Sequence, residues 1–145
     1  MKVLIVNGSS HVNGTTMQAI QEVQKVFSEA NVDTEVIQLG NKPIRDCIQC
    51  GYCSEHGDCV FKDDDVNAFV EKAKDADGFI FATPVYYAHP SGRILSFLDR
   101  VFYSAESVTP NPFAFKPGAS IAVARRGGTT ASFDVLNKYF GISQM

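Results

Sequence analysis

The stretch KVLIVNGSSHVNGTT, residues 2–16, decides the fold of this chain. Lys2–Val6 is a short apolar run with β-branched residues, which is typical of a strand buried on both faces of a parallel sheet. After the Gly-Ser turn, apolar residues recur through Thr15–Ala30 at the spacing of one helical stripe. Thr34–Leu39 then alternates as a strand does, so this part of the chain predicts a β-α-β unit.

The same alternation of strand and helix continues along the chain. Three acidic residues, Asp63–Asp65, begin the next helix, where they suit the positive end of its dipole. The remaining predicted elements are a strand over Phe79–Thr83 that ends at Pro84, a helix over Ser91–Phe102, a strand over Ala119–Ala124 and a helix over Ala131–Phe140. This order predicts an α/β fold, a doubly wound parallel sheet with helices on both faces.

The composition limits the classes of protein to consider. The chain has 145 residues, 45% of them hydrophobic, and a net charge of -3. These values predict one globular domain over residues 1–145 and exclude the disordered and the basic nucleic-acid-binding classes. The first apolar run is too short for a signal peptide, and no segment approaches the roughly 20 apolar residues of a membrane span. We therefore expect a cytoplasmic protein with no nucleic-acid or membrane partner.

The loop after the first strand has the composition of an anion site. Backbone N–H groups at a helix N-terminus and the helix dipole favour a phosphate, and hydroxyl groups add donors. The loop lacks the Gly-Lys-Ser/Thr pattern of triphosphate sites and the glycine pattern of dinucleotide sites, so a phosphate monoester is predicted. A turn that only caps the helix is the alternative. The candidate phosphate-binding residues are Ser9, Ser10, His11, Asn13, Gly14, Thr15 and Thr16.

Three segments, taken in this order, resemble one known family. The first strand followed by Ser-Ser-x-x-Asn-Gly-Thr-Thr, residues 9–16, is similar to the phosphate loop of the flavodoxin-like NAD(P)H-dependent FMN reductase family. Thr83–Tyr87, Pro90-Ser91 and Phe97–Arg100 resemble the second flavin loop of that family and the helix behind it. The resemblance extends from Met1 to Phe140, and it implies bound FMN with NAD(P)H as the co-substrate.

The second and third loops supply candidates for contact with the flavin ring. A flavin needs a flat apolar wall and backbone donors near its pyrimidine side. The candidates are Pro84, Val85, Tyr86 and Tyr87 in the second loop and Arg125, Gly127 and Gly128 in the third. From the residues alone, two alternatives stay open: such tyrosines are more often core-edge residues with a satisfied hydroxyl, and the third loop can be a strand-to-helix turn with exposed basic residues. No catalytic side chain is assigned, because hydride transfer between stacked nicotinamide and flavin rings needs placement rather than an acid or base.

All four cysteines lie in a long loop insertion at about residues 40–62, with the spacing Cys47-x2-Cys50-x2-Cys53-x5-Cys59. Thiolates at this spacing can bind a 4Fe-4S cluster or a zinc ion, or they can form a reversibly oxidised thiol loop, and the spacing leaves all three open. The pattern resembles the compact cysteine motif of the iron-sulfur flavoproteins, a branch of the same flavodoxin-like group. By that resemblance, one 4Fe-4S cluster relays single electrons to FMN.

The function that the resemblance implies is that of an FMN-dependent oxidoreductase. Electrons pass from NAD(P)H or a ferredoxin through FMN, by way of the cluster, to a small-molecule acceptor. The alternative is a flavodoxin-like electron-transfer protein without substrate turnover of its own. Asp99 and Arg100 are interpreted as a structural ion pair or a helix-surface contact, outside the chemistry of the site.

Four strands are fewer than the resemblance implies. A flavodoxin-like sheet has a fifth strand and a closing helix, which this chain is expected to lack. The strand over Ala119–Ala124 would then form an open hydrophobic edge, and such edges associate readily. We expect a partner chain or a second copy to cover it, which makes a homo-oligomer the predicted state.

Overall fold

The structure is a computed structural model, and it describes all residues from Met1 to Met145. Its elements, in chain order, are β1 Lys2–Asn7, α1 Thr15–Glu29, β2 Asp33–Gln38, α2 Tyr52–His56, α3 Val66–Lys74, β3 Gly78–Tyr86, β4 His89–Pro90, α4 Gly92–Ala105, β5 Gly118–Val123 and α5 Thr129–Ile142. Every strand and helix predicted from the sequence is present. Their bounds differ from the predicted ones by at most three residues.

The sheet is built from four parallel strands in the order β2-β1-β3-β5, and the short β4 pairs with the end of β3. Ile5 of β1 lies opposite Val36 of β2 and Ile80 of β3. Ile80 lies in turn opposite Ala119 of β5. The strand order reverses direction after β2, as in doubly wound sheets, so the predicted flavodoxin-like α/β class is confirmed. No fifth parallel strand follows, and the outer edge of β5 has no partner within the chain.

The prediction that the third strand ends at Pro84 is wrong. Pro84 lies opposite Val123 of β5, and β3 then continues to Tyr86 and forms an antiparallel hairpin with β4. Proline lacks a backbone N–H, but the pairing of β3 with β1 ends at Ala82, so one side of β3 is a free edge at Pro84, where a missing donor is tolerated. Tyr87 and Ala88 form the tip, with φ of +49° and +60°, which is the backbone twist that suits a two-residue hairpin turn.

One helix was absent from the sequence prediction. Helix α2 has five residues and lies inside the cysteine loop, between Gly51 and Gly57. Both glycines have left-handed backbone conformations, with φ of +75° and +74°. A helix of little more than one turn has too few residues to show an apolar stripe, so its sequence gives no periodic signal.

Apolar side chains fill both faces of the sheet. On one face, Phe69 of α3 packs against Phe97 of α4, with ring centroids 5.2 Å apart. On the other face, Ile20 of α1 packs with Ile5 and Ile80 of the central strands. Burial on both faces explains why the central strands are continuous apolar runs. None of the helices combines the length and the hydropathy that a membrane crossing requires.

Glu35 in β2 gives the fold a pH-dependent contribution. Its carboxylate pairs with Lys2, at 2.6 Å, and with Lys72 of α3, and these partners lower the pKa of Glu35 from its ordinary value of 4.5. We expect Glu35→Gln to lower the free energy of unfolding by about 0.5–1 kcal/mol at pH 7, the range for partly exposed pairs.

A depressed carboxyl pKa stabilises the fold above the unfolded value and ceases to do so as the pH falls through the folded value. The difference in the free energy of unfolding between Glu35→Gln and the parent chain should therefore become smaller when urea denaturation is repeated below pH 4.5. Glu22→Gln, which breaks a pair on the exposed surface of α1, is the control. A difference that stays constant as the pH falls would contradict the assigned role of Glu35.

Candidate functional site

The loops that follow β1 and β3 are joined at the carboxyl edge of the sheet. The Gly8 N–H donates a hydrogen bond to the Ala82 carbonyl at 2.8 Å. The Ser91 hydroxyl donates to the Gly8 carbonyl at 3.0 Å, and the Ser91 N–H donates to Thr83 Oγ1 at 3.1 Å. A side chain at Gly8 would lie 2.9 Å from Ile94, so the first loop also passes close to α4. The two loops therefore form one surface.

Two residues that sequence reasoning missed hold the first loop in shape. The Asn7 carboxamide oxygen accepts from the Ser9 N–H at 3.0 Å, and its nitrogen donates to Gln38 at 2.7 Å. Gln38 in turn donates to the Ser9 carbonyl at 2.6 Å, and the Ser9 hydroxyl oxygen accepts from the His11 N–H at 3.1 Å. Asn7 is fully buried. A polar residue at the end of a buried apolar strand was the available signal.

The N-terminus of α1 carries no cap from its own chain. Gly14 is the N-cap residue and has no side chain to offer, and the first turn contains no acidic residue. The first N–H groups of the helix are therefore available to an anion, together with the positive end of the helix dipole. Of the predicted phosphate-binding residues, Ser9 and Thr16 are buried, Ser10 and Gly14 are half-buried, and His11, Asn13 and Thr15 are exposed.

The second and third loops meet at the tip of the hairpin. A Cβ atom added to Gly128 would lie 2.4 Å from the Ala88 Cα, so only glycine fits there, and its φ of +98° also favours glycine. Pro84 and Val85 are half-buried, whereas Tyr86 and Tyr87 project into solvent from the hairpin. Gly127 has open space around it and Arg125 is exposed, so the third loop leaves backbone accessible to a ligand.

The four cysteines line one pocket on a different side of α4. They share the lining with Phe61, Arg100 and Tyr103, and the cavity between these residues is small, about 20 Å³, and partly open to solvent. Cys47 and Cys50 are exposed, Cys59 is half-buried and Cys53 is buried, and all four are free thiols. No group of three or more histidine, cysteine or carboxylate side chains is arranged to hold a metal ion.

The surroundings of Cys53 and Cys59 change the pKa of the first thiol and fix the backbone of the second residue. Burial raises the pKa of the Cys53 thiol, and the neighbouring Cys59, Cys47 and Cys50 raise it further. The Asn67 side chain accepts from the Cys59 N–H at 2.8 Å and donates to the Cys59 carbonyl at 2.9 Å. Asn67, on α3, therefore fixes the backbone of the last cysteine.

Asp99 and Arg100 do not pair with each other, and Arg100 is buried rather than on the helix surface. Arg100 is 1% exposed and lines the cysteine pocket, where its Nε donates to Cys59 Sγ at 3.2 Å. Its ionic partner is Asp64, whereas Asp99 accepts a hydrogen bond from Tyr139. Burial lowers the pKa of Arg100, but the hydrogen bonds to Asp64 and Cys59 outweigh it, so the pKa lies above its ordinary value and the guanidinium stays charged.

Helix α4 connects the two sites. Its N-cap, Ser91, is bonded to the first loop, and Arg100 lies nine residues further along the helix. At a rise of 1.5 Å per residue, these positions are about 14 Å apart along the helix axis. The loops at the carboxyl edge of the sheet and the cysteine pocket are thus both attached to one helix, α4.

A parallel doubly wound sheet with joined loops at its carboxyl edge defines the flavodoxin-like class of α/β proteins. The model of the NADPH-dependent FMN reductase family matches residues 1–145. The chain belongs to that family. It is an oxidoreductase of the FMN reductase type, with FMN as cofactor and NAD(P)H as co-substrate. The resemblance seen in the sequence is confirmed.

Individual relatives agree with the family match. An iron-sulfur flavoprotein of Methanocaldococcus jannaschii is 32% identical over 151 residues, which cover 100% of this chain and 74% of the relative. An iron-sulfur flavoprotein of Methanosarcina thermophila is 28% identical over 149 residues, covering 100% of this chain and 75% of that protein. Among solved structures, a flavone reductase superposes with a TM-score of 0.72 at 21% identity, covering 99% of this chain and 50% of that one, which supports the fold.

Proposed function

We propose that this flavin oxidoreductase takes electrons from NAD(P)H or a ferredoxin-type donor and passes them, through FMN and a 4Fe-4S cluster in the cysteine loop, to a small-molecule acceptor. When bound, FMN accepts a hydride and the cluster carries single electrons, so together they join two-electron to one-electron transfer. The observation that carries the proposal is that one helix, α4, contacts both the first loop, after β1, and the cysteine pocket.

The first loop is proposed to hold the FMN phosphate. The N–H groups at the start of α1 would donate to the phosphate, and the exposed hydroxyl of Thr15 and the half-buried Ser10 add donors. His11 and Asn13 are exposed at the same place, while Ser9 shapes the loop through its bond to the His11 N–H. The absence of an acidic residue in the first helical turn supports an anionic ligand.

The second and third loops are proposed to hold the flavin ring. Pro84–Tyr87 would supply the wall, and the open backbone at Gly127, next to Gly128, would supply donors. Arg125 places positive charge beside this edge, where it favours the negative charge of a reduced flavin. These residues position the ring and exclude water from one side of it, and none of them has to transfer a proton.

The cysteine pocket is proposed to hold the cluster. Cys47, Cys50, Cys53 and Cys59 would each bind a different iron, and a cubane therefore needs four sulfurs spread around one pocket rather than converging on one ion. The lining of the pocket by all four thiols supports this reading.

Anaerobic purification followed by absorbance and iron analysis tests the proposal. We expect bound flavin with absorbance at about 450 nm and roughly four iron atoms per chain. A yellow protein with no iron and four titratable thiols would reject the cluster but keep the flavin. If no flavin stayed with the protein after incubation with FMN and removal of the excess by desalting, the proposed flavin site would be rejected.

The electron donor is tested by stopped-flow bleaching of the flavin. Fast reduction by NADPH followed by turnover with a small acceptor supports the proposed enzyme. Fast reduction by ferredoxin, with none at millimolar NADPH, would instead favour the flavodoxin-like electron-transfer role, which the cysteine loop also suits because clusters pass single electrons.

We further propose that residues 1–145 act as one FMN-binding domain in the cytoplasm, a reducing compartment that suits four clustered cysteines without a disulfide. The open edge of β5 is proposed to pair with a second copy of the chain. Light scattering should then give at least a dimer, and a stable monomer would contradict the proposed pairing.

A further inference from the structure

The Arg100 side chain forms more hydrogen bonds than a simple buried ion pair needs. A guanidinium has five N–H donors, and here each has an acceptor. The Nε donates to Cys59 Sγ at 3.2 Å. One terminal nitrogen donates to Asp64 Oδ2 and to the Arg45 carbonyl at 3.3 Å, and the other donates to Asp64 Oδ1 at 3.2 Å and to the Phe61 carbonyl at 3.4 Å. No donor is left over, so the side chain has one defined position.

The positions of these acceptors relate Arg100 to the cysteines. Arg45 lies two residues before Cys47, and Phe61 lies two residues after Cys59. Arg100 therefore joins the two ends of the cysteine motif by their backbone carbonyls. The Phe61 ring also lies against the guanidinium, 5.0 Å from its carbon, which keeps water away from that side.

Asp64 balances the charge of Arg100 and leaves its Nε free for sulfur. The carboxylate takes one N–H from each terminal nitrogen, the arrangement in which arginine binds carboxylates most firmly. An ion pair with Asp64 would be complete without Cys59. The additional Nε–Sγ contact is therefore the feature that a purely structural pair does not explain.

We propose that Arg100 is a positioning residue of the cysteine site, which fixes Cys59 and raises the reduction potential of the metal cluster held there. This inference rests on the proposed cluster. A hydrogen bond from a charged donor to a cysteine sulfur favours the more negative, reduced state, and such bonds set cluster potentials. Lysine keeps the charge but has only three N–H donors on one atom. It therefore cannot donate hydrogen bonds to the sulfur, the carboxylate and both carbonyls at the same time.

The test compares Arg100→Lys and Arg100→Met with the parent chain and with Arg93→Met. Arg93 lies two helical turns earlier on α4, bonded to the Lys42 carbonyl and outside the cysteine pocket, so it controls for loss of a charge from the same helix. Bound flavin and circular dichroism report folding. Anaerobic spectroelectrochemical titration gives the cluster potential, and the rate of iron loss to a chelator reports how firmly the cluster is held.

We expect the reduction potential of the cluster to be more negative in Arg100→Lys than in the parent chain. The equilibrium constant for reduction should fall at least tenfold, which is about 59 mV for a one-electron couple. Iron loss to the chelator should also be faster. Loss of iron from Arg100→Lys with retained flavin also supports the proposal, since lysine can still pair with Asp64. If Arg100→Met does not fold, Arg100→Lys carries the test.

Two failures are distinguishable. A parent chain without iron overturns the cluster, whatever the variants do. A parent chain with a cluster, and an Arg100→Lys variant whose potential and rate of iron loss equal those of Arg93→Met, overturns the role of Arg100 and leaves the cluster standing.

Discussion

Asp64→Ala is expected to lower the free energy of unfolding by about 3–5 kcal/mol, because it leaves the Arg100 guanidinium buried without its counter-charge. Asp64 is 9% exposed at its side chain and Arg100 is 1% exposed, so water cannot replace the lost carboxylate. Asp64 also accepts from the Val66 N–H at 3.2 Å, and loss of that contact weakens the start of α3. Urea denaturation followed by circular dichroism measures the change.

The neighbouring residue supplies a matched control. Asp63 pairs with Arg45 on the surface, with side-chain exposures of 62% and 52%. We expect Asp63→Ala to leave the free energy of unfolding almost unchanged, since exposed pairs contribute little. The double variant Asp64→Ala, Arg100→Met should recover part of the loss, because it removes the unpaired charge. Equal effects of Asp63→Ala and Asp64→Ala would contradict a buried pair between Asp64 and Arg100.

Gly128→Val is expected to lower the free energy of unfolding by about 3 kcal/mol or more and to weaken FMN binding at least tenfold. The variant places a β-branched residue at a φ of +98° and a Cβ atom 2.4 Å from the Ala88 Cα. Because backbone atoms form the contact, no side-chain rotation relieves it. The hairpin tip and the third loop must separate, and the proposed flavin wall separates with them. Chemical denaturation and titration with FMN measure the two effects.

Gly127 is the control for stability. A Cβ atom there meets nothing within 4 Å, and its φ lies outside the left-handed region. Gly127→Ala should therefore change the free energy of unfolding by no more than about 0.5 kcal/mol. If Gly128→Val were as stable as Gly127→Ala, the close approach of the third loop to Ala88 would not exist in solution.

The sequence by itself determined the fold class and the order of every element except α2 and β4. Buried strands such as Lys2–Asn7 and helices such as Thr15–Glu29 show their apolar spacing within the element, so the signal is local and each could be predicted. The loops at the carboxyl edge followed from that order, because parallel strands bring their carboxyl ends to the same edge. The cysteine spacing likewise marked Cys47–Cys59 as one unit.

Only the tertiary structure decided how these segments meet. The hairpin past Pro84 depends on pairing with β5 and β4, which no local pattern records. Gly128 needs to be glycine because Ala88, distant in the chain, occupies the space beside it. The sequence placed Arg100 next to Asp99, but folding turns it towards Asp64 and Cys59, and a buried charge must find its partners wherever the fold brings them.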